Sequence, residues 1–148
     1  MKLKGILATI YLDYADAIFA GKKTCELRRR APLIQPGHLL MIYQPRPVSA
    51  VTGWATVERT VFCNPAVLWP EVRDFAGITE ETYLRYTARA STVCGIFIRD
   101  PQRLVRPVTL QELYRYETGG APQSWRYLQT LTRAMAQLLE NRMAEAQS

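Results

Sequence analysis

Apolar positions along the first sixty residues alternate between two periods, and the changes of period mark the elements. Leu3–Ile10, rich in Leu, Ile and Thr, reads as a strand. Tyr14, Ala15, Ile18 and Phe19 then recur at helical spacing and predict an amphipathic helix over Leu12–Ala20. Asp13 and Asp16 lie near its positive end, and Gly21 is placed to stop it. The next segment, Thr24 to Arg30, alternates again. If it is extended, Thr24, Glu26, Arg28 and Arg30 share one polar face while Cys25 and Leu27 point into a core. A proline-bounded loop, APLIQPG, leads to a short apolar strand at His38–Tyr43. After the turn region QPRPVSA, Val51–Val61 forms a longer strand, with Val51, Gly53, Ala55 and Val57 on one face and Trp54, Thr56 and Glu58 on the other.

Punctuation residues organise the second half. Asn64-Pro65 is a helix start, with Asn as cap and Pro at the first helical position, and Pro70 restarts or kinks that helix. Thr79 followed by Glu80 and Glu81 opens a second helix, whose apolar side carries Tyr83, Leu84 and Tyr86. Thr92–Arg99 reads as a buried strand. Thr109 and Glu112 fit a capping box. Gly119-Gly120 and Pro122 separate this short helix from Ser124, which is expected to cap a terminal helix running from Trp125 towards Glu140. The last residues, AEAQS, are expected to fray. Interspersed strands and helices joined by short irregular segments suit an α+β mixed barrel with peripheral helices better than a doubly wound sheet.

Composition adds bounds. A chain of 148 residues with 48% hydrophobic and 22% charged content is one globular domain in size. No apolar run approaches the roughly 20 residues of a membrane helix, and the N-terminus reads as a strand and not a signal peptide. The three cysteines, Cys25, Cys63 and Cys94, are odd in number, lack a CxxC spacing and sit among apolar neighbours, so buried free thiols in a reducing cytoplasm are expected. A single histidine, His38, gives no zinc signature, and we read it as structural. The absence of GxGxxG, Walker and GxSxG motifs disfavours dinucleotide, P-loop and α/β-hydrolase chemistry; no metal or cofactor is expected. Net charge is +6, and residues 1–30 contribute +4 of it, seven basic against three acidic. A local basic surface of this kind attracts polyanions.

The candidate chemistry lies in the run YADAIFAGKKTCELRRR, Tyr14 to Arg30. Lys23 and Glu26 have opposite parity in an extended chain, so bringing them together requires a bulge or turn at Lys23. A desolvated Lys23 is able to act as base or nucleophile with Glu26 orienting it or taking a proton; the alternative is an ordinary ion pair that positions the strand. Lys22 and Thr24 flank it. Arg28 and Arg30 are placed by alternation to grip phosphates from the cleft side, with Arg29 turned away, or else the run is a solvated edge that blocks strand pairing. Tyr11, Tyr43 and Trp54 are candidates for base stacking, with the core as the alternative, favoured for Tyr43 and open for Trp54. Trp69 and Trp125 read as packing residues. Ser124 reads as a helix cap, whose helix N-terminus is also a place for a phosphate.

These residues resemble the opening signature of ASCH domains of the PUA-like superfamily, roughly S-I-K-P-x-Y-A-x-x-I-x-x-G-x-K-T-x-E-x-R. The resemblance continues in order through Pro36-Gly37, Pro47 and the Val51–Val57 strand with Gly53, then Trp69, Gly77-Ile78-Thr79 and Tyr86, and finally Leu110 and the APQSWRYL segment, Ala121 to Leu128. It implies a PUA-like mixed β-barrel of about five or six strands with flanking helices over residues 1–128. A C-terminal helical extension, residues 129–148, packs on it or projects from it. Family members are mostly associated with RNA or nucleotide binding; a minority are amidohydrolases acting on acetylated cytidine, and nuclease activity is attributed to relatives. In the hydrolase branch a lysine after the G-x pair is catalytic, which here is Lys23, but the helping threonine falls on Glu26. Tyr11-Leu12 replaces the family's Lys-Pro, and His38 stands where an acid is usual.

The leading expectation is a module that binds RNA or a modified nucleoside in a cleft floored by Lys23, Glu26, Arg28 and Arg30. A small hydrolase using Lys23, an amidohydrolase or ribonuclease, is the second. A third is a protein partner held by the apolar stripe Leu128, Leu131, Met135, Leu138 and Leu139 of the terminal segment, for which intramolecular packing is the favoured alternative.

Overall fold

The computed structural model describes residues 3–117 and 121–148. The expected Gly119-Gly120 break lies outside the described residues. Six strands form one curled, half-barrel sheet: β1 (Gly5–Thr9), β2 (Cys25–Arg28), β3 (Leu39–Gln44), β4 (Ala50–Cys63), β5 (Val93–Thr109) and β6 (Trp125–Tyr127). Their order is β2-β5-β4-β3-β1-β6. β1 runs parallel to β3, and the other pairings are antiparallel. The helices are α1 (Leu12–Phe19), α2 (Pro65–Val72), α3 (Glu80–Thr87), α4 (Leu110–Tyr116) and α5 (Arg133–Gln147). The fold is thus α+β, as the sequence predicts.

Both faces of the sheet are covered, which is why β1 is buried along most of its length. On the inner face Ile6, Ala8, Leu40, Ile42 and Ile96 pack with Ala15 and Ile18 of α1. On the outer face Leu7, Met41 and Val108 meet Leu113 of α4 and Met135 and Leu139 of α5. A third cluster joins Cys25 and Leu27 of β2 to Leu68 and Val72 of α2 and Tyr83 of α3. Gly53 is fixed by close packing: an added Cβ would strike the Gln102 carbonyl and the Phe19 ring of α1.

The caps form as their sequences dictate. Asn64 accepts the Ala66 amide, Thr79 accepts the Thr82 amide, and Thr109 and Glu112 form the reciprocal box. Gly21, at φ +76°, follows α1.

Three expectations are corrected. The strand expected to end at Arg99 continues to Thr109 through Pro101 and Pro107, because a register shift opposite Trp54/Thr56 absorbs the extra residue beside Pro101. Ser124 caps no helix: Trp125–Tyr127 pairs with the free edge of β1, and that tertiary pairing prevails over the helical reading. Leu128–Thr130 is a 3₁₀ turn, and the terminal helix begins later, where Thr132 accepts the Met135 amide. The end of the chain is helical to Gln147, held by an ion pair between Glu145 and Arg106 at 2.5 Å. The apolar stripe of the terminal segment packs inward, with Leu128, Met135 and Leu139 in the outer-face core and Leu131 and Leu138 against it. No described helix is long and apolar enough to cross a membrane.

Candidate functional site

β2 and β6 are the two edges of the sheet, and one side chain spans them. Arg28, last residue of β2, donates from Nη2 to the Thr9 carbonyl at 2.9 Å and from Nη1 to Ser124 Oγ at 3.4 Å. Thr9 ends β1, and its own amide donates to the Ser124 carbonyl at 2.8 Å. Arg28 therefore crosses the mouth of the half-barrel. Its Nη2 also lies 2.7 Å from Glu26 Oε2, while its Nε is buried with no hydrogen-bond partner among the described residues. A buried unpaired guanidinium N–H costs free energy on the order of a kcal/mol or more.

Behind Arg28 lies Lys23. The chain turns after α1, with both the Lys22 and Lys23 amides donating to the Ala17 carbonyl, and β2 begins only at Cys25. That turn swings Lys23 to the Glu26 side. Lys23 Nζ donates to the Ala76 carbonyl at 2.6 Å, lies 3.3 Å from Glu26 Oε1, and sits 5.2 Å from the centre of the Tyr14 ring. Only 2% of Lys23 is exposed. Its ammonium is thus engaged by protein groups, which makes it a residue that positions Glu26 and the Ala76–Gly77 backbone. Cys25, next to Glu26, faces the opposite way; burial pushes its thiol up to about 12, so it is protonated at neutral pH and no nucleophile.

Two adjoining cavities share Tyr86 as a wall. The inner one, about 90 Å³, is lined by Tyr14, Lys23, Glu26, Leu27, Ile78 and Tyr86, with Thr82 at its side. The outer one, about 380 Å³, is lined by Arg28, Arg29, Arg30, Tyr86, Ser124 and Trp125. Only the second falls in the size range of about 300–1,000 Å³ in which small molecules bind. Its lining combines two aromatic side chains, Tyr86 and Trp125, with three arginines. A larger recess of about 660 Å³ beside α5 is lined by Gln129, Arg133, Gln137 and Glu140 with Leu3, Leu128, Leu131 and Ala136, and has no aromatic wall. No group of three or more His, Cys, Asp or Glu able to hold a metal ion occurs among the described residues.

Of the residues singled out from sequence, the structure brings together Lys23, Glu26, Arg28, Arg30 and Ser124. It leaves out four. Trp54 is 3% exposed and packs in the outer-face core, because that end of β4 is covered on both faces. Thr24 lines a separate recess with Gly21, Arg99 and Pro101. Lys22 is exposed and lines neither site cavity. Tyr11, 67% exposed, precedes α1 and also lines neither. Tyr43 belongs to the core, and His38 accepts the Gln35 amide through Nδ1 in a turn.

Four residues escaped the sequence reading. Arg29 is one: β2 ends at Arg28, so alternation stops there, and the Arg29 guanidinium lies 4.8 Å from the centre of the Tyr86 ring. Trp125, read as packing, lines the outer cavity beside Ser124 and meets Tyr127 edge-on at 4.9 Å. Tyr86, whose hydroxyl donates to the Leu27 carbonyl at 3.2 Å, and Tyr14 complete the walls. The helical phase of Thr82 and Tyr86 was the available signal for α3.

The architecture is that of a curled α+β half-barrel with the candidate site across the gap between the two edge strands. The family model of the ASCH domain matches residues 9–96, and the chain belongs to that family. A relative from Zymomonas mobilis, named ASCH domain-containing ribonuclease, is 32% identical over 119 residues, 80% of either chain. The crystal structure of ASCH from Zymomonas mobilis superimposes with a TM-score of 0.82 at 31% identity, covering 92% of this chain and 93% of that one. The N-terminal domain of McrB from Staphylothermus marinus, 11% identical with a TM-score of 0.59 and 93% of each chain covered, shares the fold alone.

Proposed function

We propose that this protein binds single-stranded RNA at the gap between β2 and β6, holding one unstacked nucleotide in the outer cavity. The observation that carries the reading is that cavity itself, about 380 Å³, with Tyr86 and Trp125 as walls and Arg28, Arg29 and Arg30 at its rim. A base stacks on the aromatic walls. Its phosphate accepts from Ser124 Oγ and from the exposed Arg29 and Arg30 guanidinium groups. Lys23 holds Glu26 in place behind them. The cytoplasm is the compartment we propose, in keeping with three free thiols, two of them buried.

Cleavage of the bound strand is the second reading, favoured by the relative named as a ribonuclease. The 2′-hydroxyl attacks the adjacent phosphorus and gives its proton to solvent, because Glu26 is held by Lys23 and Arg28 and lines the inner cavity. The P–O5′ bond breaks, and the leaving oxygen takes a proton from solvent, giving a 2′,3′-cyclic phosphate and a 5′-hydroxyl end. Arg28 and Arg30 offset the charge that builds on the phosphorane. An amidohydrolase acting on acylated cytidine needs the Lys23 amine free at the substrate, whereas here the Ala76 carbonyl and Glu26 engage its Nζ.

Fluorescence anisotropy with labelled single-stranded RNA, duplex RNA and single-stranded DNA, run beside mass spectrometry of the products, tests both. Tighter binding of single-stranded RNA, weakened by salt and by Arg28→Lys, is expected. Equal binding to all three would overturn the single-strand reading. Intact RNA after long incubation would remove the cleavage reading and leave the binding one.

A further inference from the structure

The basic surface does not stop at the cavity. α3 places Thr82 and Tyr86 on the side that faces the site, since both line the inner cavity. Residues three apart are neighbours on a helix surface. Arg85 therefore lies beside Thr82, and Arg89, in the turn that follows α3, lies beside Tyr86. Both are exposed. The opposite end of α3 carries Glu80 and Glu81 in its first turn, so charge changes sign along the helix from acidic to basic.

Ion pairing separates these arginines from most others on the surface. Arg73, Arg99, Arg103, Arg106 and Arg126 each lie within 4.0 Å of a carboxylate. Arg29, Arg30, Arg85 and Arg89 have no such partner among the described residues, nor do Arg46, Arg59, Arg115 and Arg133 elsewhere, but only the first four adjoin the cavity and α3; Glu81 stands four positions before Arg85. Arg29 already stacks on Tyr86, which links the rim of the cavity to the α3 surface. Four cations without carboxylate partners thus run from the rim across one turn of helix, and the acidic end of α3 blocks the other direction.

We propose that Arg85 and Arg89 form a second phosphate-binding segment, so that RNA leaves the nucleotide cavity over Tyr86 and follows α3 towards its C-terminal turn. This rests on the RNA-binding reading and extends it: the ligand is a single strand of several nucleotides, and not a lone nucleotide or a strand end held only by the cavity. The two arginines supply charge and no base recognition, so they act alike on all sequences.

The test compares wild type, Arg85→Gln/Arg89→Gln and, as a remote control, Arg133→Gln, using a dinucleotide and an eight-nucleotide RNA over a range of salt. Each phosphate contact on a single strand contributes about 0.7 to the slope of log affinity against log salt, so the double variant should lose about 1.4 of slope on the longer RNA. Its dinucleotide affinity and the Arg133→Gln slopes should match wild type. An unchanged slope for the double variant overturns the segment while leaving the cavity reading intact. Equal loss on the dinucleotide also overturns it, because the arginines would then act at the cavity or through the fold. Absence of RNA binding by wild type removes the cavity reading itself.

Discussion

Lys23 Nζ lies 3.3 Å from Glu26 Oε1, although Lys23 precedes the strand that carries Glu26 and an extended chain would set them on opposite faces. The turn after α1 resolves the conflict, and it places Lys23 between a carboxylate and the Ala76 carbonyl in a nearly dry site. Replacing Lys23 with Met leaves the Ala76 carbonyl without its donor and Glu26 with Arg28 as its remaining cation. Arg28 still compensates the carboxylate, so urea denaturation of Lys23→Met should show a loss of about 1–3 kcal/mol, that of an unsatisfied buried group, and not the larger cost of an uncompensated charge. An unchanged midpoint would mean the pair contributes nothing to the fold and would return Lys23 to the list of reactive groups.

Gly77 supports the same contact from the other side. Its φ is +65°, and an added Cβ would lie 3.1 Å from Lys23 Cβ. Gly77→Ala should therefore cost about 1–2 kcal/mol in unfolding free energy from backbone strain alone. The loss is to be compared with that of Gly21→Ala, where φ is +76° but nothing lies within 4 Å. A smaller loss at Gly77 than at Gly21 would contradict the packing against Lys23.

Trp125 and Tyr86 face the same cavity. Stacking on an aromatic side chain is worth about 1–3 kcal/mol per base, so Trp125→Ala should weaken single-stranded RNA by at least fivefold. Trp125→Phe should retain most of the affinity. Loss that is equal in the two variants would point to the packing of Trp125 on Tyr127 and not to a base.

The pairing of Glu112 with Arg142 predicts an acid limb in stability. Burial acts to raise the Glu112 carboxyl, but the Arg142 hydrogen bond and charge, with the Thr109 amide and hydroxyl, outweigh it and hold it below the ordinary 4.5. A depressed carboxylate stabilises the fold above its unfolded value, and that contribution fades as pH falls through the lower folded value. Urea midpoints should therefore drop below about pH 4.5, and less steeply in Glu112→Gln. Identical slopes in the two proteins would contradict the pairing.

What the sequence made legible follows a physical line. Local signals survived: the period of α1, the Asn64, Thr79 and Thr109 caps and the alternation of Glu26 and Arg28 against Cys25 and Leu27 all hold. Signals that depend on distant partners failed. Trp125–Tyr127 has too few residues to show a period and becomes a strand only because β1 offers an edge. Pro101 reads as a stop until a register shift is allowed opposite it. Trp54 shares its strand face with Thr56 and Glu58, so the sequence leaves core and stacking both open; it is core because α1 covers one face of the sheet and α4 and α5 the other. The outer cavity takes its walls from β2, α3 and β6, and no spacing within one segment reveals such a meeting.

The most direct test of the central claim is photocrosslinking of 4-thiouridine-containing single-stranded RNA to the wild-type protein, with adducts mapped by peptide mass spectrometry. Adducts on the segments carrying Tyr86 and Trp125, suppressed by Arg28→Lys, are the predicted result. Adducts confined to α5 and the recess beside it, indifferent to Arg28, would contradict the account.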